Sequence, residues 1–293
     1  MRARSIDAGP AAGGDEPTAT GLTPFLRLRL AAIALYVGLL GMAYRTWPLY
    51  ETSPDWALWR ALPEALASGT LYDTATEAPF VWSPVAAWVM ALAPSLFWPW
   101  VVLHFVAVLL LRDWRMIALV LLSWGFWTST ASGHPFIFIF VAGALAVRGS
   151  RVGGLVFLAL TLLMPRPVQI PLAVWLLWKM PSLRWPFAGM FAVHAVVVLW
   201  TGYAWEWIVA MTGHALPVGN WGPSALIGLW WLAIGVPLGA WLAWRGHVGF
   251  AGLAISPYWL PEYLMMALLD LVPGWKRTPL EPSQGRQAST AAR

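Results

Sequence analysis

A chain of 293 residues that is 59% hydrophobic and 11% charged lacks the polar surface to cover a soluble domain, which excludes that class. Its net charge of +5 is spread over tails and short connections, with no basic helical face or Gly-rich phosphate loop for nucleic acid or nucleotide, and the lack of Cys removes thiolate and disulfide chemistry. An all-α, polytopic transmembrane bundle remains, because alternating strands are absent and helices then satisfy the backbone in hydrocarbon.

In chain order, residues 1–26 are rich in Ala, Gly, Thr and Pro and read as a disordered tail without a signal-peptide pattern. Arg27 and Arg29 stand at the start of the first apolar run, about Leu28 to Tyr44, and place the amino terminus in the cytoplasm. An outer loop over 45–80 follows. It opens the stretch Ser53 to Pro84, which holds Asp55, Glu64, Asp73 and Glu77 with only Arg60 among them. Two apolar pieces, Val85 to Leu92 and Pro99 to Leu111, come next, although charge alternation allows an odd number of crossings here. Either one piece is re-entrant or "RDWR" (Arg112 to Arg115) is external.

Further apolar segments are expected at Met116 to Phe126, Phe136 to Val147, Val152 to Met164, Val168 to Trp178, Pro186 to Thr201, Ala225 to Trp244, Val248 to Ile255 and Tyr263 to Leu271. Several are shorter than the roughly 20 residues a crossing needs. The membrane domain spans 27–273, with roughly nine to eleven hydrophobic segments, some short or re-entrant. A second cytoplasmic tail covers 274–293. Basic connections at Arg112, Arg148 to Arg151, Lys179 to Arg184, Arg245 and Lys276 are assigned to the cytoplasm of a plasma-membrane protein with both termini inside. The 24 Pro shorten helices, and the 23 Trp suit the membrane interface or the stacking of sugar rings. The outer side then gathers nearly all residues able to move a proton or bind an anion.

"DWALWRALPEALASGTLYD", "PFVWSP" and "SGHPFIFIFVAGALAVRGSRVGGLVFLALTLLMPRPVQ" together resemble the multi-pass C-type glycosyltransferases, closest to the family 87 mannosyltransferases. Asp55 matches the family's leading acid. Gly69, Leu71, Tyr72 and Asp73 match its second element, and Phe80 to Pro84 the third. Gly133 and His134 stand where Gly-Gln is expected, and Met164, Pro165 and Arg166 cover a Lys-Pro position. "ISPYWLPEYLMMALLDL" is similar to a late Ser-Pro-x-x-Trp-x-x-Tyr helix entrance.

The resemblance implies inverting transfer of a hexose, mannose by the closest family, from a polyprenyl-phosphate carrier to a hydroxyl on a glycolipid, polysaccharide or protein. No cofactor or metal is called for. Asp55 would take the acceptor's proton, with Glu262 as second choice. Arg166 and His134 would hold the phosphate, with Arg60 and Arg45 as weaker candidates. Tyr72, Asp73, Trp82 and His214 complete the candidate binding residues, with Asn220 beside His214 in the late outer loop. Simpler readings stand beside these. Asp55 lies in the first turn of a helix, where the dipole favours a carboxylate. Asp73 suits a turn, His134 a cap, and Arg166 a snorkel to headgroups. His104 and His194 read as interhelical hydrogen-bond partners. The rival class is a non-catalytic relative that binds a lipid-linked sugar or serves as a partner subunit, or a small transporter.

Overall fold

The computed structural model describes residues 53–73, 80–213 and 222–271. The tails, the first apolar run, Arg45, Glu51, Glu77, His214 and Asn220 lie outside the described residues. Among the described residues all regular structure is helical. The first part comprises α1 (Pro54–Ser68), α2 (Pro84–Met90), α3 (Phe97–Leu109), α4 (Trp114–Leu122), α5 (Trp124–Ala131), α6 (Phe136–Val147) and α7 (Arg151–Leu163). After these come α8 (Ile170–Lys179), α9 (Arg184–Trp200), α10 (Ala204–Gly213), α11 (Ser224–Ile227), α12 (Trp231–Trp244), α13 (Val248–Ile255) and α14 (Leu268–Leu271). Five 3₁₀ segments join them, the longest at Pro261–Ala267.

Helix α6 is the centre of the molecule, with ten of its twelve residues buried. At 1.5 Å per residue it is only about 18 Å long, and α3, α5, α7 and α8 pack around it. Two expected segments come out differently. Met116 to Phe126 is split at Ser123, whose hydroxyl donates to Val120 O (2.7 Å) and accepts from Phe126 N–H (3.2 Å), ending α4 and starting α5. Tyr263 to Leu271 lies mostly within the 3₁₀ segment, and only its last four residues form an α-helix.

Three helical stretches are long and apolar enough to cross a membrane: Pro84–Leu109, Pro181–Trp200 and Ser224–Trp244. In the second and third, only 11% of the apolar window is buried. Trp200 and Leu226 are 81% and 89% exposed, so the outward faces suit hydrocarbon rather than water. The first stretch does not run straight. A continuous 26-residue helix would be about 39 Å long, yet Trp82 before it and His104 within it both reach His134. The chain turns back between Met90 and Phe97, so α2 and α3 do not form one straight helix.

The far ends of these helices carry the basic turns. Arg148, after α6, donates from Nη1 to Leu111 O beyond the end of α3 (2.9 Å), which brings the Arg112 and Arg148 turns together. Leu183 packs against Gly154 near the start of α7, adding the Lys179 to Arg184 connection to the same end. The acids and aromatics of the Asp55 and "SGHP" stretches therefore occupy one end of the bundle, and these basic turns the other.

Candidate functional site at the polar end

The site begins with a clamped loop. Trp56 and Trp59, three residues apart on α1 and hence on neighbouring turns of one face, donate their indole N–H groups to Ala131 O (2.8 Å) and Ser132 O (3.3 Å). Trp100 on α3 donates to Gly133 O (2.9 Å). His134 O accepts from Ser129 Oγ (2.7 Å), with His104 Nε2 at 3.1 Å. Four successive carbonyls thus find side-chain partners, which holds the turn into α6 without the regular ladder a buried backbone normally requires. Gly133 is at φ +71°, and a Cβ there would lie 2.5 Å from the Trp56 ring. Only glycine fits both the backbone and the clamp.

A second wall comes from Phe80 to Pro84. Val81 O accepts from Trp207 Nε1 (3.2 Å), Trp82 O accepts from Tyr72 Oη (2.7 Å), and Ser83 N–H donates to Leu163 O (3.0 Å). Anchored in this way, the Trp82 ring packs on Trp59 and His134, with centroids 4.9 and 5.1 Å away.

Arg166 closes the third side. Its guanidinium carbon lies 5.6 Å from the Trp82 ring centroid, Nη1 donates to Tyr258 Oη (3.4 Å), and Nη2 lies 3.3 Å from His134 Nε2. A guanidinium only donates, so His134 Nε2 is the acceptor and the imidazole proton sits on Nδ1. Burial, then Arg166 and His104, hold His134 well below the usual imidazole range, in agreement with a neutral ring. Burial opposes the charge on Arg166, but Tyr263, Tyr258 and Glu262 more than offset it. Gln169 Oε1 accepts from the backbone N–H of Arg166 (3.3 Å). Its Nε2, His134 Nδ1 and Arg166 Nε are buried donors without a hydrogen-bond partner. Orphaned donors of this kind are rare in folded proteins, and three on residues that touch one another suit an anion.

Two carboxyls share this neighbourhood. Asp55, in the first turn of α1, is raised by burial, against a hydrogen bond with Ser132 and the charge of Arg166. Glu262 is buried and pushed up to about 7 by burial; a bond from its own backbone and Arg166 oppose the rise, and Asp55 adds to it. In both carboxyls burial raises the affinity for a proton more than the charge of Arg166 lowers it. Among the described residues no three His, Asp or Glu side chains gather as they would around a metal ion.

No family model, curated protein or solved structure significantly matches the chain. Beside the site runs an apolar groove of about 420 Å³ between the end of α7, α9 and α10. Its wall includes Pro165, adjacent to Arg166, and Trp207, the residue that anchors Val81.

Of the residues expected from sequence, Asp55, Arg166, His134, Trp82 and Glu262 come together. Tyr72 is adjacent but structural: its hydroxyl is spent on Trp82 O and its ring packs on Phe80 and Tyr203. Asp73 is an exposed turn residue whose N–H donates to Thr70 O, and it does not join the cluster. Arg60 does not join it either. Five residues beyond Asp55 on a helix, it points about 140° away and is exposed. Met164 is buried in the core and does not join the cluster. His104 takes the expected hydrogen-bonding role, whereas His194 Nε2 has no partner and its ring packs edge-on against Trp207. Sequence reasoning missed Gln169, Ser132, Tyr258 and Tyr263. For Gln169 a signal existed: Pro167 opens a 3₁₀ turn in which Gln169 is the third residue, placed to reach back to Arg166.

Proposed function

We propose that the chain is an integral-membrane glycosyltransferase that moves a hexose from a polyprenyl-phosphate carrier to a hydroxyl acceptor, with inversion and with Asp55 as general base. The observation that carries this reading is the set of three unpartnered buried donors, on His134, Arg166 and Gln169, in the same cluster as the half-buried carboxyl of Asp55 and next to a groove fit for an apolar chain. The donors and the guanidinium suit the phosphate. The groove suits the first isoprene units, and Asp55 suits the acceptor's hydroxyl proton. The raised affinity of Asp55 for a proton improves it as a base while Arg166 limits the rise. The polar end faces the non-cytoplasmic side, because the basic turns occupy the other end. A subunit that only binds lipid-linked sugar has use for the donors but none for a carboxyl whose affinity for a proton is raised beside them.

The test is transfer from radiolabelled polyprenyl-phosphate mannose to membrane glycolipid or peptide acceptors by the full chain in lipid. Wild type should transfer, and Asp55→Asn should lose about 10²–10⁴-fold in kcat. Equal transfer by both removes Asp55 as the base.

A further inference from the structure

The basic end of the bundle holds charge that its own side chains do not answer. Helix α8 ends at Lys179, the 3₁₀ turn Pro181–Leu183 follows, and α9 starts at Arg184. Arg184 is folded back on this turn. Its Nε donates to Leu177 O (2.8 Å), one of the last four carbonyls of α8, which the helix itself leaves open. Its two Nη groups have no partner among the described residues. Lys179 Nζ lies 4.4 Å from the centroid of the Trp178 ring. Leu183 seats the turn on α7, where a Cβ on Gly154 would lie 2.7 Å from it. Arg151, three residues before Gly154, is on the same face of α7 and so stands beside the turn. Trp178 and Trp185 border this corner and are 53% and 86% exposed.

The carboxylates of this end are committed elsewhere. Asp113 Oδ1 accepts from the N–H groups of Arg115 (2.9 Å) and Met116 (3.2 Å), which starts α4. The buried Asp270 accepts from Phe250 N–H (2.8 Å), with its other oxygen 4.0 Å from His247 Nδ1. Among the described residues no carboxylate forms an ion pair with Arg151, Lys179 or Arg184.

We infer that this corner binds the headgroup of an acidic phospholipid, with its phosphate among Lys179, Arg184 and Arg151 and its acyl chains along the outward face of α9. A guanidinium whose Nε is already tied presents its remaining donors to a phosphate with little freedom left to lose. The bordering indoles set the depth, because Trp favours the headgroup level of a bilayer. Exposed cations at that level are drawn to anionic lipid. The face of α9 that continues from Arg184 is apolar and open, with Val193 and Val196 about two-thirds exposed, so acyl chains have a surface that a soluble anion would not use. The groove gains from such a lipid. Helix α7 starts at Arg151 and α9 at Arg184, and later parts of the same two helices, with α10, wall the groove. Only 11% of the apolar window of α9 is buried, so a phosphate held by both starts adds a tie between α7 and α9 that the protein itself makes sparingly. This lipid site stands whether or not the chain transfers sugar.

The chain has no Cys, so Ser182→Cys in the exposed turn can carry a single fluorophore on the full chain in phosphatidylcholine bilayers. Quenching by phosphatidylglycerol spin-labelled on an acyl chain is read as a ratio to quenching by spin-labelled phosphatidylcholine, which cancels any change in the depth of the turn. The ratio should exceed one and fall toward one at high salt, which screens exposed charges. Adding Lys179→Gln and Arg184→Gln together should lower it about 5-fold or more, whereas Arg60→Gln, at the other end of the bundle, should leave it unchanged. Inorganic phosphate at matched ionic strength should not displace the lipid; displacement assigns the corner to a soluble anion and overturns the lipid site. So does a ratio near one without the charge substitutions, a ratio that the double substitution leaves unchanged, or an equal fall in Arg60→Gln.

Discussion

Arg148 and Arg166 are the arginines that the two ends of the bundle draw inward, and they are used differently. Arg148 is 8% exposed and gives a guanidinium N–H to the open carbonyl of Leu111, so it joins two turns. Arg166 is surrounded by a neutral imidazole, two phenols, an indole face and two carboxyls, and its Nε is left over. A buried cation whose hydrogen bonds close a gap in the backbone is doing structural work. Arg166, with a buried Nε–H that no protein group accepts, has a donor to spare for an anion, and that contrast separates the ends of this molecule better than charge alone.

Exchanging each arginine for lysine sharpens the contrast most. Arg166→Lys keeps the charge but loses the planar fork, and transfer from the lipid donor should fall about 10²-fold in kcat/KM with little change in melting. Arg148→Lys should instead lower stability by about 1–2 kcal/mol and leave kcat/KM unchanged, because a carbonyl loses its donor far from the site. Like behaviour in the two variants would erase the distinction.

Gly133→Ala attacks the clamp rather than the cation. The positive φ and the contact with Trp56 together should cost about 2 kcal/mol or more, read from thermal unfolding in lipid. Unfolding at a series of pH values probes the polar end in a different way. The carboxyl of Glu262 binds its proton more tightly in the folded protein, about 7 against an ordinary 4.5. Its contribution is therefore full below about 4.5 and is lost as pH rises through about 7, by up to about 3 kcal/mol. Glu262→Gln should flatten that slope, and a wild type whose stability rises through this window would contradict the buried acid. The smallest effect is expected from Trp59→Phe, which removes one N–H from the clamp and puts a smaller ring in the buried site: about 1–2 kcal/mol.

The tryptophans show where sequence and structure part company. Their number was legible as an interface or sugar-stacking signal. In the fold Trp56, Trp59, Trp100, Trp127, Trp207, Trp231 and Trp259 each donate to a backbone carbonyl, in loops or in the last turn of a helix, where ladder partners run out. A long apolar side chain with one donor at its tip does this well in a dry interior, but which carbonyl it meets is a property of distant chain.

By itself the sequence determined the helical class, the apolar segments between Phe136 and Ile255 to within a few residues apart from α10, which it read as part of an outer connection, and Asp55, His134, Arg166, Trp82 and Glu262 as candidate site residues. These are consequences of periodicity, hydropathy and residue chemistry, which act locally. Only the tertiary structure decided that the chain turns back after α2, that Arg60 and Asp73 lie apart, and that Gln169, Ser132, Tyr258 and Tyr263 belong with Arg166. Those outcomes depend on which donors remain unpaired after 3₁₀ turns and indole clamps have bent the chain, and hydrogen-bond satisfaction between residues up to 126 apart leaves no local trace.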